Sequence, residues 1–253
     1  MTWDLVIAPW RGIALEQLDA ASELQTRTDR KYIVDEVTLA SALSSVAPGA
    51  VLEVAGSREQ AYSSTYFDTP ELTSYRAAAH RRPRRYKVRT RSYIGSDQHA
   101  VELKLRDARG TTVKHREWLD GAVTATLGED ARRFLTSFPD VAGAVDQLVP
   151  SLTTTYRRTT LVTPNGRVTI DADVTATMHG SSISFAPELI VETKAARHAG
   201  EVDRALWALG VRPSRVSKYC TSLAALNPQL PSNRWSRTLR RHLDSPASVA
   251  FAA

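Results

Sequence analysis

Hydrophobic and polar residues alternate in several short runs of this chain, and such alternation marks half-buried β-strands. In 101–106, Val101, Leu103 and Leu105 fall on one side and Glu102, Lys104 and Arg106 on the other. In 86–93 one side carries Lys87, Arg89 and Arg91, and in 189–194 Glu192 and Lys194 fall together. Side chains change face at every residue of a strand, so each charged set points one way. Strands are predicted at 27–34, 51–55, 62–68, 85–94, 99–107, 111–119, 153–163, 167–177 and 188–195. Asp107 to Gly110 has the residues of a turn, and Asn165-Gly166 between two β-rich runs is a strong hairpin signal.

Helical spacing occurs at 13–25 (Ile13, Leu15, Leu18, Ala21, Leu24). Asp35 is placed to cap a helix over 36–47 that stops before Pro48-Gly49. Pro70 opens a short helix over 70–79. Short helices are predicted at 129–138 and 141–149, and longer ones at 200–209, ended by Gly210, and 214–226. From Asn227 onward the Pro, Ser and Arg content predicts a loosely attached tail with a short helix at 234–243. Together these elements predict an α+β protein with about eight mainly antiparallel strands. A closed barrel would remove edge strands. With the charged faces inward and helices on the apolar outside, it becomes a charged tunnel. The expected organisation is a single domain over 1–226 and a basic C-terminal tail over 227–253.

Composition narrows the chemistry. The 253 residues are 42% hydrophobic and 24% charged, as in a soluble globular protein. There is no apolar run near the ~18 residues of a membrane span, and the N-terminus lacks the pattern of a signal peptide. The single cysteine, Cys220, excludes an intramolecular disulfide and sits in an apolar helical pattern, which places it in a core. These features lead to an expected cytoplasmic location. None of the six histidines has zinc-ligand spacing to another His or Cys. The net charge of +6 favours an anionic partner. The charge is concentrated in 76–91, which holds Arg and Lys without an acid, and in the tail from Arg234.

A series of motifs follows in order: Arg27-Thr-Asp-Arg-Lys-Tyr32, Tyr66-Phe-Asp-Thr-Pro70, Lys87-Val-Arg-Thr-Arg-Ser-Tyr93 and Val101-Glu-Leu-Lys104. Then come Tyr156-Arg-Arg-Thr159, Arg167-Val-Thr-Ile-Asp171, Val191-Glu-Thr-Lys194 and Ser217-Lys-Tyr219. Over residues 25–226 this series resembles the VTC (vacuolar transporter chaperone) polyphosphate polymerase domain of the triphosphate tunnel metalloenzymes, in its stand-alone bacterial form. The resemblance implies an eight-stranded antiparallel tunnel whose basic lining holds polyphosphate. It implies transfer of the γ-phosphate of ATP to a growing polyphosphate chain, with release of ADP. Lys31, Arg89, Arg91, Lys104, Arg158, Arg167 and Lys218 are the implied catalytic and phosphate-contacting residues. Tyr156 is their hydrogen-bonding neighbour, and Glu192 is the ligand of a Mn2+ or Mg2+ ion.

The chemistry is coherent on physical grounds. Phosphoryl transfer needs in-line positioning and neutralised charge. Arg offers a planar fork for phosphate oxygens and Lys a compact charge, and Mg or Mn prefers carboxylate and phosphate oxygens. Other roles stay open for individual residues. Lys218 sits beside apolar positions where a lysine snorkels. Asp171 and Asp173, on the face of Arg167, serve either metal binding or charge balance. Glu102 serves either metal binding or the positioning of Arg and Lys partners, and Lys87 and Arg106 fall nearer the tunnel mouths.

Two further functions compete. One is a tripolyphosphatase or related hydrolase of the same fold. Such relatives open with Glu-x-Glu-x-Lys, where this chain has Arg27-x-Asp29-x-Lys31. The other is a non-catalytic polyphosphate- or RNA-binding module. Nucleic acid is not expected, because single-strand recognition uses aromatic platforms and the chain is only 7% aromatic. The eukaryotic relatives work in a membrane complex, so docking of the basic tail on a separate membrane protein is a further expectation.

Overall fold

A computed structural model describes residues 2–20, 28–121, 123, 125–195, 198–243 and 249–251. In chain order the elements are α1 (Trp3–Ile7), β1 (Arg11–Ile13), α2 (Leu15–Ala20), β2 (Thr28–Val34), α3 (Glu36–Ser44), β3 (Ala50–Leu52), β4 (Gln60–Asp68) and α4 (Thr73–Ala79). There follow β5 (Arg85–Tyr93), β6 (Gln98–Arg106), β7 (Thr112–Leu119), α5 (Glu129–Thr136), α6 (Pro139–Ala142), β8 (Val149–Thr163) and β9 (Gly166–Met178). The last are β10 (Ser181–Ser184), β11 (Leu189–Ala195), α7 (Glu201–Ala208), α8 (Lys218–Leu226), α9 (Ser236–His242) and β12 (Val249–Phe251). The protein is α+β; among the described residues β2–β11, β9–β11, β9–β10, β10–β12, β3–β8, β4–β5, β5–β6 and β6–β7 pair antiparallel, and β1 pairs parallel with β3.

Two compact units divide the chain. The first comprises 1–61, 156–174 and 185–216, and the second 62–155, 175–184 and 217–253. In the first, strands follow the order β1-β3-β8-β9-β11-β2. Alternation sends Tyr32, Val34, Val168, Ile170, Leu189 and Val191 to one face, where they pack with Leu39 and Leu43 of α3, Val202 and Leu206 of α7, and Trp3, Ile7 and Trp10. Each such buried side chain contributes about 1.5–3 kcal/mol. Asp35 caps α3 as expected, its carboxylate accepting from the Thr38 amide at 2.7 Å. Gly166 is required in the hairpin between β8 and β9, because a Cβ there would lie 2.2 Å from the Lys194 carbonyl oxygen.

In the second unit the strand order is β12-β10-β9-β8-β4-β5-β6-β7. Phe67, Val88, Val101 and Leu103 face Leu127, Ala131, Leu135, Val141, Val145 and Leu148 from the region of α5 and α6. The opposite face carries the charges.

The structure departs from the sequence reading in several places. The helix expected over 70–79 starts at Thr73, preceded by Leu72 in the left-handed region at φ 57°. The carboxylate of Asp68 accepts the amides of Ser74 and Tyr75 at 2.8 and 2.9 Å and so caps α4 from a neighbouring strand. The segment 141–149 is not one helix: α6 ends at Ala142, a 3-10 turn follows at Val145–Gln147, and β8 begins at Val149. The last helix before the tail starts at Lys218 instead of 214, because Ser217 accepts the Cys220 amide and sets the cap. The short elements α1, β1, β10 and β12 were not expected. The helix expected over 13–25 is present as α2, and its continuation past Ala20 lies outside the described residues, as does Arg27.

Of the tail, expected to be loosely attached, residues 231–235 make contacts within their unit. Trp235 is buried, with its ring 5.5 Å from that of Tyr75. Tyr75 donates to the Pro231 carbonyl, and Arg234 donates to that of Ala78, each at 3.1 Å. Cys220 is buried, as its apolar setting implied.

Candidate functional site

The first unit places five of the predicted residues on the face of its sheet opposite the core. Antiparallel register puts Lys31 of β2 beside Glu192 of β11, and Glu192 beside Thr169 of β9. One step along, Asp29, Lys194 and Arg167 stand abreast in the same way. Lys31 Nζ lies 2.9 Å and Lys194 Nζ 3.7 Å from Glu192 Oε1. Burial works to raise the Glu192 carboxyl, but Lys31, Lys194 and Arg158 outweigh it and hold it well below the usual carboxylate range. Burial, joined by Arg167 and Arg158, pulls Lys194 down to about 8 against Glu192 and Asp29. Arg158 of β8 grips Asp171 with Nε and Nη2 at 2.5 and 2.9 Å, and its guanidinium lies 5.3 Å from the ring centre of Tyr156. Tyr156 thus packs against Arg158 as a platform.

Asp171 and Asp173 do not act as a pair. Asp171 is buried on Arg158, whereas Asp173 accepts from Arg157, the next residue on β8, which also binds Glu59. Successive strand residues point to opposite faces. Asp173 has φ 51°, which breaks the alternation of β9 and sends its carboxylate to the outer side.

The second unit places Arg89, Arg91, Lys104 and Lys218, and adds residues the sequence reading left out. Register stacks the face in rows across the strands. Tyr66, Arg89, Glu102 and Arg116 form one row; Ser64, Arg91, Ala100 and Trp118 the next; and Lys87, Lys104 and Lys114 stand abreast on β5, β6 and β7. Glu102 is buried in this face. Arg89 binds its Oε2 through Nε and Nη2 at 2.7 and 2.5 Å, Lys114 Nζ lies 2.5 Å from Oε1, and Arg91 and Arg116 lie 3.9 Å away. Burial again opposes ionisation, and Arg89, Arg91 and Lys114 overcome it, so Glu102 stays ionised. Its partners are arginines and a lysine, the arrangement of a carboxylate that positions cations. Lys114 keeps 39% of its side chain exposed. Even so, burial, followed by repulsion from Arg89 and Arg116, pulls it down to about 7 against the attraction of Glu102.

Arg89 also donates to Tyr66 Oη at 3.1 Å, and Tyr66 stacks on Tyr219 at 5.0 Å. Tyr219 in turn donates to Asp68 at 2.6 Å. This chain of contacts fixes the first turn of α8, which begins with Lys218. Ser217, the cap of α8, accepts from Lys87 Nζ at 2.8 Å. Lys87 therefore lies beside the start of α8, well inside the charged face. Lys114, Arg116 and Lys194 went unassigned in the sequence although Lys114, Arg116 and Trp118 alternate along β7; only the register shows what stands opposite them.

Among the described residues no group of three His, Cys, Asp or Glu side chains is placed to hold a metal ion. A protein-only metal cage does not fit. A Mg- or Mn-type ion that takes most of its oxygens from phosphate and water needs one or two carboxylates. Glu192, whose ion-pair partners are lysines, fits that use.

Residues 26–227 match the VTC domain family, and the chain belongs to that family. No curated protein sequence matches. Among solved structures the chain is similar to a proposed adenylate cyclase from Vibrio parahaemolyticus, at 11% identity over 76% of this chain and 95% of that one, with a TM-score of 0.47. It is also similar to a protein from Pyrococcus horikoshii (12% identity, 76% and 94% covered, TM-score 0.46). A third is a proposed adenylyl cyclase from Hippeastrum described as having a dominant triphosphatase activity (13%, 76% and 93%, 0.45). At this level of similarity these three say nothing of the chemistry of this chain. No helix among the described residues is long and apolar enough to cross a membrane.

Proposed function

We propose that this protein is a metal-dependent polyphosphate polymerase that moves the γ-phosphate of ATP onto inorganic polyphosphate. The supporting observation is the row of Lys87, Lys104 and Lys114. With Arg89, Arg91 and Arg116 in the adjoining rows, six cationic side chains share one face of β5, β6 and β7 around the Glu102 carboxylate, and a face so rich in positive charge favours an anionic ligand. Membership in the VTC domain family supports a phosphate-directed function, and the closed tunnel implied by the resemblance is part of this reading.

In the reaction, a terminal oxygen of the chain attacks the γ-phosphorus, the bond to the β–γ bridging oxygen breaks, and ADP leaves. Arg89, Arg91, Lys104 and Lys218 of the second unit and Lys31, Arg158 and Arg167 of the first hold phosphate oxygens. Asp171 and Tyr156 keep Arg158 in place, and Glu102 does the same for Arg89. Glu192 holds the Mn2+ or Mg2+ ion, which supplies charge neutralisation when bound. Electrostatic stabilisation of this kind is the main catalytic lever in phosphoryl transfer. The proposed setting is the cytoplasm, with ATP and polyphosphate as ligands and the basic tail as the docking element toward a membrane partner.

The test is turnover of the purified protein with ATP and manganese, with and without a short polyphosphate primer. Chain growth matched by ADP is the expected result. Free phosphate from tripolyphosphate without chain growth would replace the polymerase with a hydrolase, in which water takes the acceptor's place. Tight polyphosphate binding without turnover would leave a binding module.

A further inference from the structure

The cationic face of the second unit ends in aromatic rings. Tyr62 and Tyr93 stand opposite each other on β4 and β5, and Trp118 shares the row of Arg91. The alternation that places the Arg and Lys rows on this face places all three rings there too. The ring centres of Tyr62 and Tyr93 are 5.2 Å apart, and those of Tyr93 and Trp118 are 5.4 Å apart. Arg91 lies 5.2 Å from the centre of Tyr62 and Arg116 lies 5.0 Å from that of Trp118. Trp118 nevertheless keeps 51% of its surface exposed, leaving ring area open to a ligand.

Inorganic polyphosphate has no apolar or π surface and gives no reason for this cluster. The geometry points to a nucleobase subsite in which the base of a nucleoside triphosphate stacks at Trp118 and Tyr93 while its phosphates run along the strands toward Arg89 and Lys114. Trp118 and Lys114 are four residues apart on β7, or ~13 Å at the rise of a strand. That is the scale of an extended nucleoside triphosphate. Arg91 and Arg116 flank the rings and mark the junction between base and phosphates. The inference rests on the phosphate-binding reading of the same face and adds a means of telling donor from acceptor, since only the nucleotide donor carries a base.

Tripolyphosphate separates the two ideas, because it has the phosphates of ATP and lacks the base. Binding of ATP and of tripolyphosphate would be measured by calorimetry at one salt concentration for the full chain, Trp118→Ala and Trp118→Phe, with thermal melting to confirm folding. Base–aromatic stacking predicts that Trp118→Ala weakens ATP by about tenfold or more and leaves tripolyphosphate unchanged, while Trp118→Phe restores most of the ATP affinity. Equal weakening of both ligands would make the ring structural and overturn the subsite. So would an unchanged ATP affinity in Trp118→Ala. If the wild-type chain binds neither ligand, the phosphate reading falls and the subsite falls with it.

Discussion

Glu192 in the first unit and Glu102 in the second are both carboxylates set in a basic face, yet their surroundings differ in kind. Glu102 has a side chain 3% exposed and meets three charges besides Lys114, all of them arginine. Glu192 is 15% exposed and its ion-pair partners are two lysines. Arginine forks hold a carboxylate in a fixed plane, whereas ammonium groups are mobile point charges. Glu102 is therefore suited to organising donors, and Glu192 to exchanging a lysine for a metal ion. The same residue type on the same kind of strand has two different surroundings, according to what the register places next to it.

The sharpest way to break this comparison is Glu102→Ala. It leaves Arg89, Arg91, Lys114 and Arg116 without their shared counter-charge, and loss of one partner from a buried ion pair costs about 3–5 kcal/mol. Chemical denaturation should show that loss, and tripolyphosphate should restore more stability to the variant than to the parent. An unchanged midpoint would mean that Glu102 does not organise the face. Glu192→Gln should behave in the opposite sense. The fold persists and metal-dependent turnover drops about 100-fold or more, the scale for losing a central electrostatic group. Unchanged turnover in the ADP assay would remove Glu192 from the mechanism.

The two units also differ in how their lysines titrate, and Lys114 gives the cleaner test. Its value of about 7 in the folded protein is below the ordinary 10.5. Between those values the unfolded chain holds the extra proton, so this group makes stability rise with pH through that window and fall as pH drops toward 7. A bound polyanion favours the charged lysine and raises its pKa. Tripolyphosphate binding at pH 8 should thus take up protons, and affinity should weaken from pH 7 to 9. Calorimetry in buffers of different ionisation enthalpy reads the uptake directly. Lys114→Gln should diminish it; uptake of the same size in that variant would assign the effect elsewhere.

Strands whose residues alternate over most of their length were legible in the sequence. β2, β5, β6, β7, β9 and β11 fall where the pattern predicted them, and the Asp35 cap and the Asn165-Gly166 hairpin carry local signals. What was hidden depends on side-chain contacts that carry no local pattern. Asp68, the last residue of β4, caps α4 across the intervening turn, so Pro70 misleads about where the helix starts. The tail reads as loose from its composition, because the pocket for Trp235 beside Tyr75 is built some 160 residues earlier in the chain. α1, β1, β10 and β12 are too short to show a period. The charged face of each candidate strand was visible, but pairings such as Lys114 with Glu102 exist only once the register is known.

Asp171 and Asp173 give the smallest and most local version of the same contrast. They are two residues apart on one strand and both bind arginine, but the Asp171 side chain is 1% exposed and that of Asp173 is 55% exposed. Asp171→Asn should release the grip on Arg158 and lower turnover about tenfold, since misplaced phosphate donors act through positioning. Asp173→Asn should change turnover less than twofold and stability by under ~1 kcal/mol, the usual worth of an exposed ion pair. Asn tolerates the left-handed backbone found at 173, so the substitution tests the charge alone. Asp173→Val tests the backbone as well, at an added cost of about 1–2 kcal/mol. A Val variant no less stable than the Asn variant would show that β9 does not need the left-handed residue that turns Asp173 away from the face of Asp171.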